Sequence, residues 1–75
     1  MAGEKIDIKR IKQARLDKGM SVLQVSEALG YHSYVAYYRK EEGQRRFSTT
    51  DVLKISQILD LELEEIFLDD KLPQR

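Results

Sequence analysis

Three glycines do most to limit what this chain can become. The stretches "LDKG", "EALG" and "KEEG" end at Gly19, Gly30 and Gly43, and each closes a segment whose apolar residues recur at helical spacing. A glycine just past a helix adopts the left-handed conformation without a Cβ clash, so each is a predicted stop. Start signals answer them: "SVLQ" at Ser21–Gln24 fits a capping box, "STTD" at Ser48–Asp51 approximates one, and Ser33 can cap the segment between. Ile8, Ile11 and Ala14 line the first segment, Val22, Val25, Ser26 and Leu29 the second, and Val52, Ile55, Ile58 and Leu59 the fourth. No segment alternates with period two, and no Asn-Gly or Asp-Gly hairpin turn occurs. The spacing predicts an all-α domain of five short helices near residues 6–18, 22–29, 33–42, 49–59 and 62–68. Residues 1–5 are expected to form a flexible N-terminus, and residues 69–75, which include Pro73, a C-terminal tail.

The sequence is 75 residues long, enough for one small domain near the lower size at which a core supports itself. The absence of cysteine removes disulfides, a thiol nucleophile and a zinc–thiolate site. No apolar run approaches the ~20 residues that a membrane-spanning helix needs, and the charged opening "MAGEKIDIKRIK" has no signal-like apolar stretch, so a cytoplasmic location and no membrane partner are expected. The one histidine, His32, stands in a turn with no second histidine for a metal, and no glycine-rich phosphate loop is present. The acidic pairs Glu41/Glu42, Glu64/Glu65 and Asp69/Asp70 are adjacent in sequence, so on a helix their members point in different directions. Neither catalysis nor a metal, cofactor or small-molecule ligand is expected.

Formal net charge is zero but unevenly spread: residues 1–46 hold ten Lys/Arg against six Asp/Glu, and residues 47–75 hold three against seven. The first part could meet a polyanion while the second avoids it; on charge alone, plain solvated surface explains the same numbers. More is carried by the second and third segments. A short helix with small Ser26 in its middle, the turn "YHS" and a further helix of about ten residues make the outline of a helix-turn-helix.

Taken in register, "IKQARLDKGMSVLQVSEALGY" and "YYRKEEGQRRFSTTDVLKISQILDLELEEIF" resemble the lambda-repressor-like, or XRE, family, which includes phage repressors, Cro proteins, restriction controllers and short regulators on mobile elements. The resemblance spans residues 6–68. It rests on Arg15 four residues before Gly19, the "GMS" turn, "ALGY", Glu41 two residues before Gly43, and the "DLELEEIF" ending. It implies a compact five-helix DNA-binding domain with the third helix in the major groove. The chain departs from the family at Val22, where a phosphate-binding glutamine is common, and at Lys40, where isoleucine is usual; Lys40 is expected to lay its stem over the core and send its ammonium outward.

The resemblance also divides four tyrosines that lie within eight residues. On a bare helical wheel Tyr34, Tyr37 and Tyr38 share a broad face and would all be core. The family register instead implies Tyr31 and Tyr37 for the core and Tyr34, Val35, Tyr38 and Arg39 toward DNA bases. Arg39 can fork onto guanine O6 and N7, or hold a phosphate or Glu42; Val35 can pack on a thymine methyl; Tyr38 suits phosphate as well as bases. Ser33 with the helix N-terminus, Arg45 and Arg46 in the following loop, and more weakly Lys18 and Lys12, are the expected phosphate contacts. Arg15 and Glu41 are expected to pair and so fix the third helix to the first.

The resulting expectation is a sequence-specific transcriptional regulator, a repressor or Cro-like switch of phage or mobile-element type, acting on double-stranded DNA at a palindromic operator. A weak homodimer is expected through the C-terminal end, where Leu61, Leu63 and Ile66 are assigned to the core and Phe67 and Leu68 to the contact. The alternative is a protein-interaction module on the same fold, such as an antirepressor, adaptor or antitoxin, which the neutral charge and Val22 would suit.

Overall fold

In the computed structural model, which describes residues 5–68, the order is β1 (Lys5–Ile6), α1 (Ile8–Asp17), α2 (Val22–Ala28), α3 (Tyr34–Glu41), α4 (Thr49–Ile58), α5 (Leu63–Ile66) and β2 (Phe67–Leu68). The N-terminal segment expected to be flexible lies outside these residues except for Lys5. The expected tail, with Asp69 and Asp70, lies outside them too, and of Leu68 only the backbone is described. None of the helices in the described residues is long and apolar enough to cross a membrane.

Each of α1 to α4 begins where the side chain of its N-cap residue takes up an otherwise unpaired backbone N–H. Asp7 accepts from the N–H of Arg10 at 3.0 Å. Ser21 and Gln24 form a reciprocal box, as do Ser48 and Asp51. Ser33 Oγ accepts from the N–H of Val35 at 3.1 Å. Gly19, Gly30 and Gly43 end α1, α2 and α3 at φ of 69°, 87° and 83°. The fourth stop carries no glycine: Asp60 takes φ 61° after α4, a conformation that aspartate tolerates better than most residues.

The core is built from the apolar stripes of these helices. Ile11, Ala14, Val25, Leu29, Tyr37, Val52, Ile55, Leu59, Leu61 and Ile66 are buried, with Ile6, Met20, Val22, Tyr31, Phe47, Ile58 and Phe67 packed against them. The short α5 departs from expectation twice. It ends at Ile66 rather than 68, because Phe67–Leu68 pairs antiparallel with Lys5–Ile6. This pairing also delays α1 to Ile8, and the N–H of Asp7 donates to the carbonyl of Ile66 at 2.6 Å. Leu63, assigned to the core from its place in an apolar run, is 41% exposed. Leu61 before it and Ile66 after it fill the space beneath a helix of one turn, and Leu63 instead lines a shallow apolar depression with Ile6, Phe47, Val52, Leu53 and Phe67. Phe67, expected to point away from the domain, is half-buried there.

Candidate nucleic-acid interface

The turn between α2 and α3 is tied from both sides. The Tyr31 N–H donates to the Ser26 carbonyl at 3.0 Å, and the Ser26 hydroxyl donates to the Ser33 carbonyl at 3.2 Å. Ser26 is buried; a larger residue there would push α3 off α2. This fixes where α3 begins.

The rotation of α3 follows from what it buries. Tyr37 is fully buried and Glu41, one turn on, nearly so. Glu41 receives two bonds from Arg15 of α1, Nε to Oε2 and Nη2 to Oε1, each 2.9 Å. A third comes from the Tyr37 hydroxyl at 2.6 Å. Arg15 also donates through Nη1 to the Met20 carbonyl at 2.9 Å, so the turn after α1 joins the same network. The bond to Glu41 holds the guanidinium above its ordinary pKa despite desolvation. Burial, then the bond to Glu41, drives the Tyr37 phenol well above the tyrosine range, which keeps it a donor.

With Tyr37 and Glu41 inward, helical geometry sends Val35 and Arg39 to the opposite side, one turn apart. Tyr34 and Tyr38, at 52% and 43% exposure, form a second exposed row on one flank. The bare wheel would bury all three ring positions of this helix; only Tyr37 goes in, because the charge of Glu41 must be met by Arg15 and that sets the rotation. Tyr31 is half-buried against the core.

Lys40 departs from expectation. Its ammonium is not sent outward: Nζ donates to the Tyr31 hydroxyl at 2.7 Å and to Asp51 Oδ2, while the Tyr31 hydroxyl donates to Asp51 Oδ1. The ammonium also lies 5.1 Å from the centroid of the Tyr31 ring. The cluster ties the turn, α3 and the first turn of α4 together. Burial opposes the charge on Lys40, but the bonds to Asp51 and Tyr31 outweigh it and raise its pKa. Burial likewise pushes Asp51 up, and the bonds from Lys40, Tyr31 and the Ser48 N–H more than reverse this and lower it. A positive group thus spends its charge inside the domain. Sequence reasoning missed this because Lys40 and Asp51 are joined only by the fold; the one local hint was Asp51 at a capping position.

After α3 the chain turns at Gly43, and the N–H groups of Gln44 and Arg45 both donate to the Arg39 carbonyl, at 2.8 and 3.3 Å. Phe47 anchors the far end of this loop, its ring 6.3 Å from that of Tyr37 in an edge-on arrangement. Arg45 and Arg46 are exposed between the two anchors, in the loop that directly follows α3. Ser33 is exposed, and its hydroxyl oxygen accepts the cap bond. Lys18 lies 3.9 Å from Asp60, and Lys12 is exposed on α1. A contact not foreseen, Arg10 to Glu65 at 2.6 Å, joins α1 to α5.

A family model described as "Helix-turn-helix" matches residues 11–66, from the middle of α1 to the end of α5. The chain belongs to this helix-turn-helix family, of the lambda-repressor-like, XRE type. No curated protein and no solved structure matches it. The family is one of DNA-binding regulators, and the two helices that give it its name are α2 and α3 here.

Proposed function

We propose that this helix-turn-helix protein is a sequence-specific transcriptional regulator, a repressor or Cro-like switch, that inserts α3 into the DNA major groove. The observation that supports this best is the division of α3: its inner side is locked by Arg15, Tyr37 and Glu41, while Val35, Arg39, Tyr34 and Tyr38 are left exposed. Base contacts fall to those four residues. Phosphate contacts fall to Arg45 and Arg46, with Ser33 and Lys18 at the margins. A single α3 covers few base pairs, so the operator is palindromic and the protein a weak homodimer that tightens on DNA.

A salt titration on random-sequence duplex tests this. Each phosphate neutralised contributes about −0.9 to the slope of log K against log salt, so two to four contacts per copy give roughly −2 to −4. The specific reason to hold a second reading, a protein-interaction module, is Val22. An apolar, half-buried side chain stands at the start of α2 where relatives commonly hold a phosphate through glutamine. A chain that ignores duplex DNA even at low salt is that module and not a regulator acting through α3.

A further inference from the structure

Lys40 stands in the last turn of α3 and Asp51 in the first turn of α4, and the chain between them carries Arg45 and Arg46. The near side of this loop hangs from α3. The N–H of Gly43 donates to the Lys40 carbonyl at 3.1 Å, and those of Gln44 and Arg45 donate to the Arg39 carbonyl. The far side hangs from Asp51. The Ser48 N–H donates to Asp51 Oδ2 at 3.0 Å, and the Asp51 N–H donates to Ser48 Oγ at 3.0 Å. The Lys40 ammonium donates to the same Oδ2, and so joins the two sides at the base of the loop. The Tyr31 hydroxyl donates to Oδ1 and accepts from Lys40 at 2.7 Å, which adds the turn before α3 to the junction.

A helix cap alone does not call for this. The Ser21/Gln24 box of α2 is exposed and uses a neutral amide. The Ser48/Asp51 box uses a carboxylate, 7% exposed, with a cation against it. The cation has two effects. It closes the loop, so the backbone that carries Arg45 and Arg46 is held on both sides before any ligand arrives. It also cancels a negative charge at the foot of a loop assigned to phosphates.

We propose that Lys40, Asp51 and Tyr31 are positioning residues for phosphate binding: their junction holds the loop of Arg45 and Arg46 in the shape that meets a DNA backbone. This rests on the reading of those two arginines as phosphate contacts. It goes further in assigning the presentation of the loop to three residues that touch no DNA themselves. A loop ordered in advance loses less freedom on binding, so its arginines engage at a smaller entropic cost. The junction therefore adds to affinity for every duplex and to preference for none.

Lys40→Met with Asp51→Asn removes the ion pair, keeps the net charge and leaves no buried charge unmatched. Tyr31→Phe is a milder second variant that takes one hydroxyl from the same junction and keeps the ring. Urea melts verify that both are folded under the binding conditions. Affinity for a random-sequence duplex at low salt is then measured by fluorescence anisotropy. The paired variant is expected to bind about tenfold more weakly than the parent, the cost of ordering two rotamer-rich side chains on binding. Tyr31→Phe should lose about threefold, the worth of one hydrogen bond in the junction. In a chain that also carries Arg45→Ala and Arg46→Ala, the same changes should make no difference, since the loop then has no arginine to present. Parent and variants of equal affinity overturn the inference while phosphate binding by the loop stands. A loss of the same size without the arginines also overturns it, since the junction then acts through α3. If Arg45→Ala with Arg46→Ala changes neither affinity nor salt slope, the reading of the loop fails, and the inference with it.

Discussion

Arg15 and Glu41 meet in a forked ion pair that is almost closed to water, their side chains 8% and 1% exposed. The pair joins α1 to α3, and Tyr37 adds a third donor to the same carboxylate. Removing one partner leaves the other charged, buried and unmatched. Glu41→Ala is therefore expected to cost ~3–5 kcal/mol, far more than the ~1 kcal/mol or less of an exposed pair. Arg15→Met should cost a similar amount. Urea melts of both variants check this, and a loss under ~1 kcal/mol in each would contradict the burial described.

The cluster of Lys40, Tyr31 and Asp51 predicts a pH signature. Asp51 has a folded-state pKa below its unfolded value, so its stabilisation is fully present above the unfolded value, near 4. It is lost as pH falls through the folded value. Lys40 and Tyr31 are shifted up; burial and the bond its hydroxyl donates to Asp51 are the leading causes for Tyr31. Their contribution is present below about pH 10 and is lost at higher pH. Asp51→Asn should cost about 2 kcal/mol at neutral pH, between an exposed and a buried pair. The gap from the parent chain should be flat between about pH 5 and pH 9 and close at acid pH. Chemical denaturation at several pH values measures that gap, and one that does not change toward acid pH would separate Asp51 from the cluster.

The exposed arginines should differ in kind. Arg45→Ala and Arg46→Ala are expected to weaken all duplexes alike and to reduce the salt slope by about one each. Arg39→Ala should relax preference at one base position, at about 1–3 kcal/mol. Parallel salt titrations and site selections distinguish these effects. Loop variants with unchanged slopes would mean that the loop stands off the backbone.

The expected dimer can be tested without disturbing the core. Phe67→Glu places a charge in a half-buried position and will cost stability as well as association. Leu53 and Leu63, at 50% and 41% exposure, border the same apolar depression, and Leu63→Glu should leave folding within ~0.5 kcal/mol. Sedimentation on a duplex with two half-sites is expected to show two cooperatively bound copies of the parent chain, and independent binding for Leu63→Glu. Independent binding by the parent itself would remove the dimer.

Much of the architecture was legible because short helices state their limits locally. Ser21 with Gln24, Ser48 with Asp51, and glycines 19, 30 and 43 are signals a few residues long, and Ile11, Ala14, Val25, Leu29, Val52, Ile55 and Leu59 fell at the spacing of one buried stripe per helix. Less legible was whatever depends on partners distant in sequence. The rotation of α3 is set by Arg15, 26 residues before Glu41, and periodicity alone would have buried Tyr34 and Tyr38. Lys40 turned inward because Asp51 and Tyr31 form a polar socket that exists only after folding. Asp60 ended α4 without a glycine to announce it. Leu63 came out exposed because a one-turn helix has room beneath it for Leu61 and Ile66 alone.

The pairing of Lys5–Ile6 with Phe67–Leu68 has a topological consequence. It brings the two ends of the domain to one corner, so the path of the backbone is nearly a closed ring. A short linker between residues 5 and 68 would complete the circle, and new termini could then be opened in the exposed loop after Gly43 or at another surface turn. Any neighbour joined to either end would leave from that one corner. Tension on such a neighbour would unzip the two-residue ladder before it reached α3.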